Sequence, residues 1–161
     1  MRKKSEVSLR ARALQYLARR EYSRAELRVK LLPHAQADDD TEQAALDPLG
    51  QANLDALLDD LTTRGWLSDV RAATQLVHAK RGRFGLQRIT HELRQRGISE
   101  ELISAALPEL KDSELETARD VWQRKFGIAP RDEKEKAKQV RFLQSRGFAL
   151  DAIFKVLRLD D

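Results

Sequence analysis

The chain has 161 residues, 41% of them hydrophobic and only 6% aromatic, enough for one mainly aliphatic domain or a few small units sharing a core. It has no cysteine, which excludes disulfides and thiolate metal sites and fits a reducing cytoplasm. The net charge of +4 comes from 30 Lys and Arg against 26 Asp and Glu, and those charges are segregated along the chain. Residues 1–30 hold ten bases and three acids, 31–60 eight acids and no Lys or Arg, 61–98 eight bases and two acids, 99–122 two bases and seven acids, and 123–158 ten bases and four acids. Helices folded back on one another would gather the basic blocks on one side, a surface suited to a polyanion or an acidic protein. No apolar stretch follows the basic N-terminus and none approaches membrane-spanning length, so neither a secretory signal nor a membrane partner is expected.

Leucine and alanine at helical spacing, with no alternating β-branched run, predict an all-α fold. Ser8 can cap a first helix carrying Leu9, Ala13, Leu14 and Leu17 to about Arg20. Ser23 and Glu26 form a capping box that opens a second, with Leu27, Leu31 and Leu32 on its face and Pro33 as its stop. Residues 34–50, with Asp38, Asp39 and Asp40, read as an acidic insertion loop; adjacent carboxylates diverge and lack the spacing of a calcium site. A third helix is expected from Asn53, through Leu54, Leu57, Leu58 and Leu61 to Gly65, with Trp66 packed over the corner. Ser68 and Asp69 start a fourth that ends near Arg81.

The fifth follows the Gly82–Gly85 break, burying Leu86, Ile89, Thr90 and Leu93 and turning Arg88, His91, Glu92 and Gln95 outward. Ser99 caps a sixth that Pro108 should end, and Ser113 a seventh carrying Leu115, Ala118, Val121 and Trp122 to Phe126-Gly127. An eighth over Asp132–Arg146 and a ninth over Leu150–Leu159 complete the expectation.

One corner recurs: Leu61-Thr-Thr-Arg64-Gly65-Trp66, Leu93-Arg-Gln-Arg96-Gly97-Ile98 and Leu143-Gln-Ser-Arg146-Gly147-Phe148. Glycine there suits a left-handed helix cap, arginine the negative helix end, and the acid three residues on (Asp69, Glu101, Asp151) the start of the next helix. On that account Gly97→Ala costs about 1 kcal/mol of stability. Basic-aromatic turns (Arg20 to Tyr22, Arg81 to Phe84, Lys125-Phe126) recur as well. The Leu61 corner joins two units while the other two corners fall between second and third helices, so it is helix order and turn chemistry that divide the chain into three tandem three-helix repeats at 8–66, 67–108 and 109–159, an elongated, curved helical protein.

Chemistry-bearing constellations are sparse. His34, His78 and His91 are scattered, no phosphate-binding glycine loop is present, and Gln95 stands where a zinc protease would need a second histidine after His91-Glu92. The expectation is a non-enzymatic protein with no cofactor and no metal.

The segment GWLSDVRAATQLVHAKRGRFGLQRITHELRQRGISEELI, Gly65–Ile103, together with SRAELRVKL at Ser23 and VRFLQSRGF at Val140, resembles the RecX family of bacterial regulators of the RecA recombinase. The resemblance covers nearly the whole chain. It implies three tandem three-helix repeats and a partner, the RecA filament on single-stranded DNA, whose assembly and activities the protein usually limits. Charge and placement, rather than the family, select Lys80, Arg81, Arg83, Arg88, Arg94, Arg96, Arg124, Lys125 and Arg141 as the surface for filament or for single- or double-stranded DNA. No heptad seam calls for an oligomer, so a monomer is expected. Two other readings compete: an autonomous helical nucleic-acid-binding module, which would bind DNA without RecA, and a generic helical scaffold, which would leave RecA unaffected.

Overall fold

The structure, a computed structural model, describes residues 7–35 and 48–158. Among these are eight α-helices and no strand: α1 (Leu9–Leu17), α2 (Arg24–Ala35), α3 (Pro48–Thr63), α4 (Asp69–Lys80), α5 (Leu86–Gln95), α6 (Glu100–Lys125), α7 (Glu133–Ser145) and α8 (Leu150–Arg158). They form two compact units, divided between Ala72 and Ala73 within α4.

In the first unit the expected caps form. Ser8 Oγ accepts from Ala11 N–H, while Ser23 Oγ accepts from Glu26 N–H at 3.1 Å and Glu26 Oε1 accepts from Ser23 N–H at 3.2 Å. Asp69 adds a tie that spacing alone could not show, accepting from Arg24 N–H at 2.7 Å across the corner. The apolar faces of α1 to α3 meet in one cluster of Ala13, Tyr22, Leu27, Leu31, Leu54, Leu58, Leu61 and Leu67. Two expectations need correction here. Helix α2 runs through Pro33 to Ala35, and α3 begins at Pro48 rather than Asn53, since proline at a first helical position gives up a donor that has no intrahelical partner. The rest of the expected acidic loop, including Asp38, Asp39 and Asp40, lies outside the described residues.

Trp66 is the other correction. It is 44% exposed, and its neighbour Leu67, 2% exposed, seals the corner instead. At the two later corners Ile98 and Phe148 are buried as expected.

The second unit is organised by α6, which at 26 residues merges the expected sixth and seventh helices. Pro108 does not end it and Ser113 does not cap it; Ser113 Oγ bonds back to Glu109 O at 3.2 Å. An interior proline costs about 3 kcal/mol, but Ile103 and Leu110 on either side of it and Ala118, Val121 and Trp122 beyond are all buried along this one rod. Their burial outweighs the lost turn. Trp122 and Val121 pack with Leu143 of α7, Phe148, and Ile153, Val156 and Leu157 of α8.

The buried Trp122 indole N–H donates to Gln139 Oε1 at 2.8 Å, and Gln139 Nε2 donates to Ile128 O at 3.1 Å. Gln139→Leu would strand one buried donor and one carbonyl. It is expected to lower stability by about 1–3 kcal/mol, read as a lower melting temperature.

All three recurring corners close as Schellman caps. Gly65, Gly97 and Gly147 have φ of 76°, 74° and 89°, and Trp66, Ile98 and Phe148 donate their N–H back to Leu61, Leu93 and Leu143 O at 3.0–3.2 Å. The third corner has a further task. Gly85 N–H donates to Arg146 O at 2.8 Å and Gln87 N–H to Gly147 O at 3.1 Å, so the first turn of α5 sits directly on the α7–α8 backbone. Glu114 of α6 holds both pieces, its Oε1 accepting from Leu86 N–H at 3.3 Å and Ala149 N–H at 3.4 Å.

Candidate nucleic-acid interface

That backbone junction sets the position of the basic residues. Helix C-termini favour cations because the last carbonyls are unpaired and carry partial negative charge. The sequence places Lys80 at the end of α4, Arg124 and Lys125 at the end of α6, and Arg146 at the cap of α7. Docking α5 on the α7–α8 corner brings three of these ends into one neighbourhood of the second unit.

Phe84, in the α4–α5 turn, lies at its centre. Its ring is 9% exposed and has Arg88 Cζ at 4.2 Å, Lys80 Nζ at 5.0 Å, Arg146 Cζ at 5.4 Å and Arg83 Cζ at 5.6 Å from its centroid. A π face holding several cations stabilises like charges at close quarters, at about 0.5–1 kcal/mol per contact in exposed settings. Beside it opens a cleft of about 250 Å³ lined by Arg83, Arg124, Lys125 and Arg146, with Phe142 and Val121 as its apolar surface. Phe142 stands edge-on to Phe126, with Lys125 Nζ 5.5 Å and Arg146 Cζ 5.2 Å from its ring. None of these four cations pairs with a carboxylate among the described residues.

The other expected site residues are placed differently. Arg81 pairs with Glu109 at 2.6 Å and Arg94 with Glu100 at 2.6 Å; the hydrogen bond of the second pair holds the Arg94 guanidinium above its usual value and the Glu100 carboxyl below its own. Lys80 and Arg88 share Glu92 at 3.9 Å each, so Glu92 is half-buried rather than fully outward, and Arg88 also donates to Ser145 O at 3.2 Å. Arg96 caps α5 and is half-buried, while Arg141 is exposed on α7 and does not line the cleft. Arg83, Arg124 and Lys125 are thus brought together, and sequence reasoning missed Arg146 and Phe142. Their spacing of four on one helix was the available signal; Arg146 had been absorbed into the corner pattern.

In the first unit Trp66 has Arg10 Cζ at 5.6 Å and Arg64 Cζ at 5.5 Å from its ring, and both guanidiniums bond Asp60, at 2.8 Å and 3.0 Å. The Arg10 hydrogen bond, followed by that of Arg64, holds the Asp60 carboxyl below the usual carboxylate range. A depressed value in the fold means that the tie is complete above the ordinary value of about 4 and is lost as pH falls through the depressed one. The Asp60 carboxyl resonance should titrate below about 3.9 in wild type and return to it in Arg10→Gln/Arg64→Gln; an ordinary midpoint in wild type would reject this tie.

Among the described residues no group of His, Asp and Glu has the makings of a metal site, and no helix is long and apolar enough to cross a membrane.

Among the described residues the protein is an all-helical frame that carries, in its second unit, a cluster of cations without carboxylate partners beside an accessible ring. The chain belongs to the RecX family: the first, second and third three-helix domains of RecX match residues 10–44, 68–107 and 112–157. It is 47% identical to a regulatory protein RecX of Leptothrix cholodnii, over 97% of this chain and 91% of that relative. A regulatory protein RecX of Ralstonia nicotianae is 41% identical, over 94% and 87%. The crystal structure of RecX from Lactobacillus salivarius has the same fold, with a TM-score of 0.67 at 20% identity, covering 94% of this chain and 93% of that one. The fold is therefore all-α with three tandem three-helix domains, and the family is one of regulatory proteins.

Proposed function

We propose that this protein binds RecA filaments assembled on single-stranded DNA and restrains their recombinase, ATPase and coprotease activities, acting in the cytoplasm, as a monomer, in DNA repair and the SOS response. Membership of the RecX family supports a regulatory role, and one observation carries the choice of surface: Arg83, Arg124, Lys125 and Arg146 converge without a compensating carboxylate among the described residues. Lys80 and Arg88 adjoin it through the Phe84 ring that they share with Arg83 and Arg146, whereas Arg81 and Arg94 are held in ion pairs and Arg96 and Arg141 lie outside the cleft lining. A filament of recombinase on DNA is a polyanion with regularly repeated charge, and a cationic cluster would be steered to it at rates that fall with salt.

The test is the DNA-dependent ATPase and strand exchange of purified RecA with increasing amounts of this protein. Both should fall as the protein is added. Unchanged RecA activity would reject the reading in favour of a helical scaffold, and DNA binding that leaves RecA activity unaltered would favour an autonomous nucleic-acid-binding module.

A further inference from the structure

We infer that the cleft between Arg83, Arg124, Lys125 and Arg146 receives a short run of a single-stranded nucleic acid, its four cations on successive phosphates and one base against Phe142, so that the protein grips the strand itself as well as the recombinase coating it. This deepens the proposed function and rests on it. The cleft holds about 250 Å³, below the roughly 300–1,000 Å³ of pockets that enclose a whole small molecule, so it fits a segment of a chain passing through. Its lining has two chemistries. Four cations from the α4–α5 turn and the ends of α6 and α7 surround it, more than one carboxylate of an acidic protein would satisfy.

Phe142 contributes the second chemistry. It is half-buried and open to the cleft, while the neighbouring Phe84 is covered. A single strand offers in each unit a phosphate for the guanidiniums and an unstacked base for the ring, whereas a duplex offers only the phosphates and an acidic peptide neither ring nor phosphate. The arginines serve both parts, since planar guanidiniums bond phosphate oxygens through paired N–H groups and also lie against π faces.

Fluorescence anisotropy of the full chain without RecA tests this, using labelled oligothymidylate, a duplex of equal length and poly-glutamate as probes. Oligothymidylate should bind most tightly, with a log–log salt slope of about −3, as expected for roughly four phosphates at about −0.7 each. Arg124→Glu/Lys125→Glu, both exposed, should weaken binding at least about tenfold and halve the slope while helical circular dichroism is kept. Phe142→Leu should remove most of the preference for single strand over duplex while leaving the slope in place.

Equal binding of poly-glutamate, equal binding of duplex, or indifference to the Arg124/Lys125 change would each overturn the inference. Absence of oligothymidylate binding would overturn it too. If RecA's ATPase were still restrained in that case, the regulatory reading would stand and only the nucleotide site would fall; bound oligothymidylate with unrestrained RecA would sink the regulatory reading instead.

Discussion

Gly147→Ala is expected to destabilise the second unit by roughly 3–5 kcal/mol, a large part of the 5–15 kcal/mol that holds a typical domain, whereas Gly65→Ala should cost only about 1 kcal/mol. Both glycines end the same Leu-x-x-Arg-Gly corner with positive φ, 89° and 76°. The left-handed conformation alone disfavours a Cβ by roughly 1–2 kcal/mol. A Cβ on Gly65 would meet nothing within 4 Å, but one on Gly147 would lie 2.6 Å from Arg88 N and overlap the Arg88 Cβ. The approach is as close from the other side, where a Cβ on Gly85 would lie 2.6 Å from Phe148 N.

The two backbones would have to separate, breaking the hydrogen bonds from Gly85 to Arg146 and from Gln87 to Gly147. Thermal melting followed by circular dichroism checks this; for a domain of this size the difference between the variants corresponds to on the order of 15 °C. Equal melting temperatures would show that the contact between α5 and the α7–α8 corner is not formed. Since that contact also aligns the cleft, Gly147→Ala should reduce partner binding by unfolding, in step with temperature.

Arg83→Glu/Arg124→Glu/Lys125→Glu is expected to weaken restraint of RecA at least roughly thirtyfold, and Arg81→Gln/Arg94→Gln less than about threefold. The sequence presents all five as equal bets. In the fold Arg81 and Arg94 already face Glu109 and Glu100 at 2.6 Å, so most of their field is compensated before any partner arrives. Among the described residues Arg83, Arg124 and Lys125 have no such carboxylate, and clustered charges within a Debye length of about 8 Å act together. The readout is the amount of protein that halves RecA's DNA-dependent ATPase, measured at two salt concentrations. A larger loss from the Arg81/Arg94 pair would place the contact at those residues instead. Arg88 is unsuited to this comparison, since its ties to Phe84 and Ser145 make its replacement a test of folding.

Most helices were legible because their signals are local. Ser8, Ser23 and Ser99 cap where their spacing places them, and Ile89, Thr90 and Leu93 are buried as the 3.6-residue period demands. Three of the corrections concern proline. Pro33, Pro48 and Pro108 read as breaks from their missing N–H, a local property, whereas α3 starts on Pro48, where that N–H has no intrahelical partner, and α2 and α6 run through Pro33 and Pro108 because burial elsewhere along the rod decides. Trp66 was assigned to the core on hydrophobic area, but the corner has room for one apolar anchor and Leu67 fills it.

By itself, then, the sequence determined that the chain is helical, where most caps and turns fall, that its charge is segregated, and which family its middle segment resembles, since these follow from residue type and spacing within a few turns. Tertiary structure decided which of three identical corners tolerates a side chain, which arginines are already paired, and that Arg146 and Phe142 join Arg83, Arg124 and Lys125 around one cleft. Those depend on distances between residues on different helices, up to some sixty positions apart from Arg83 to Arg146, and periodicity along one helix has no information about them.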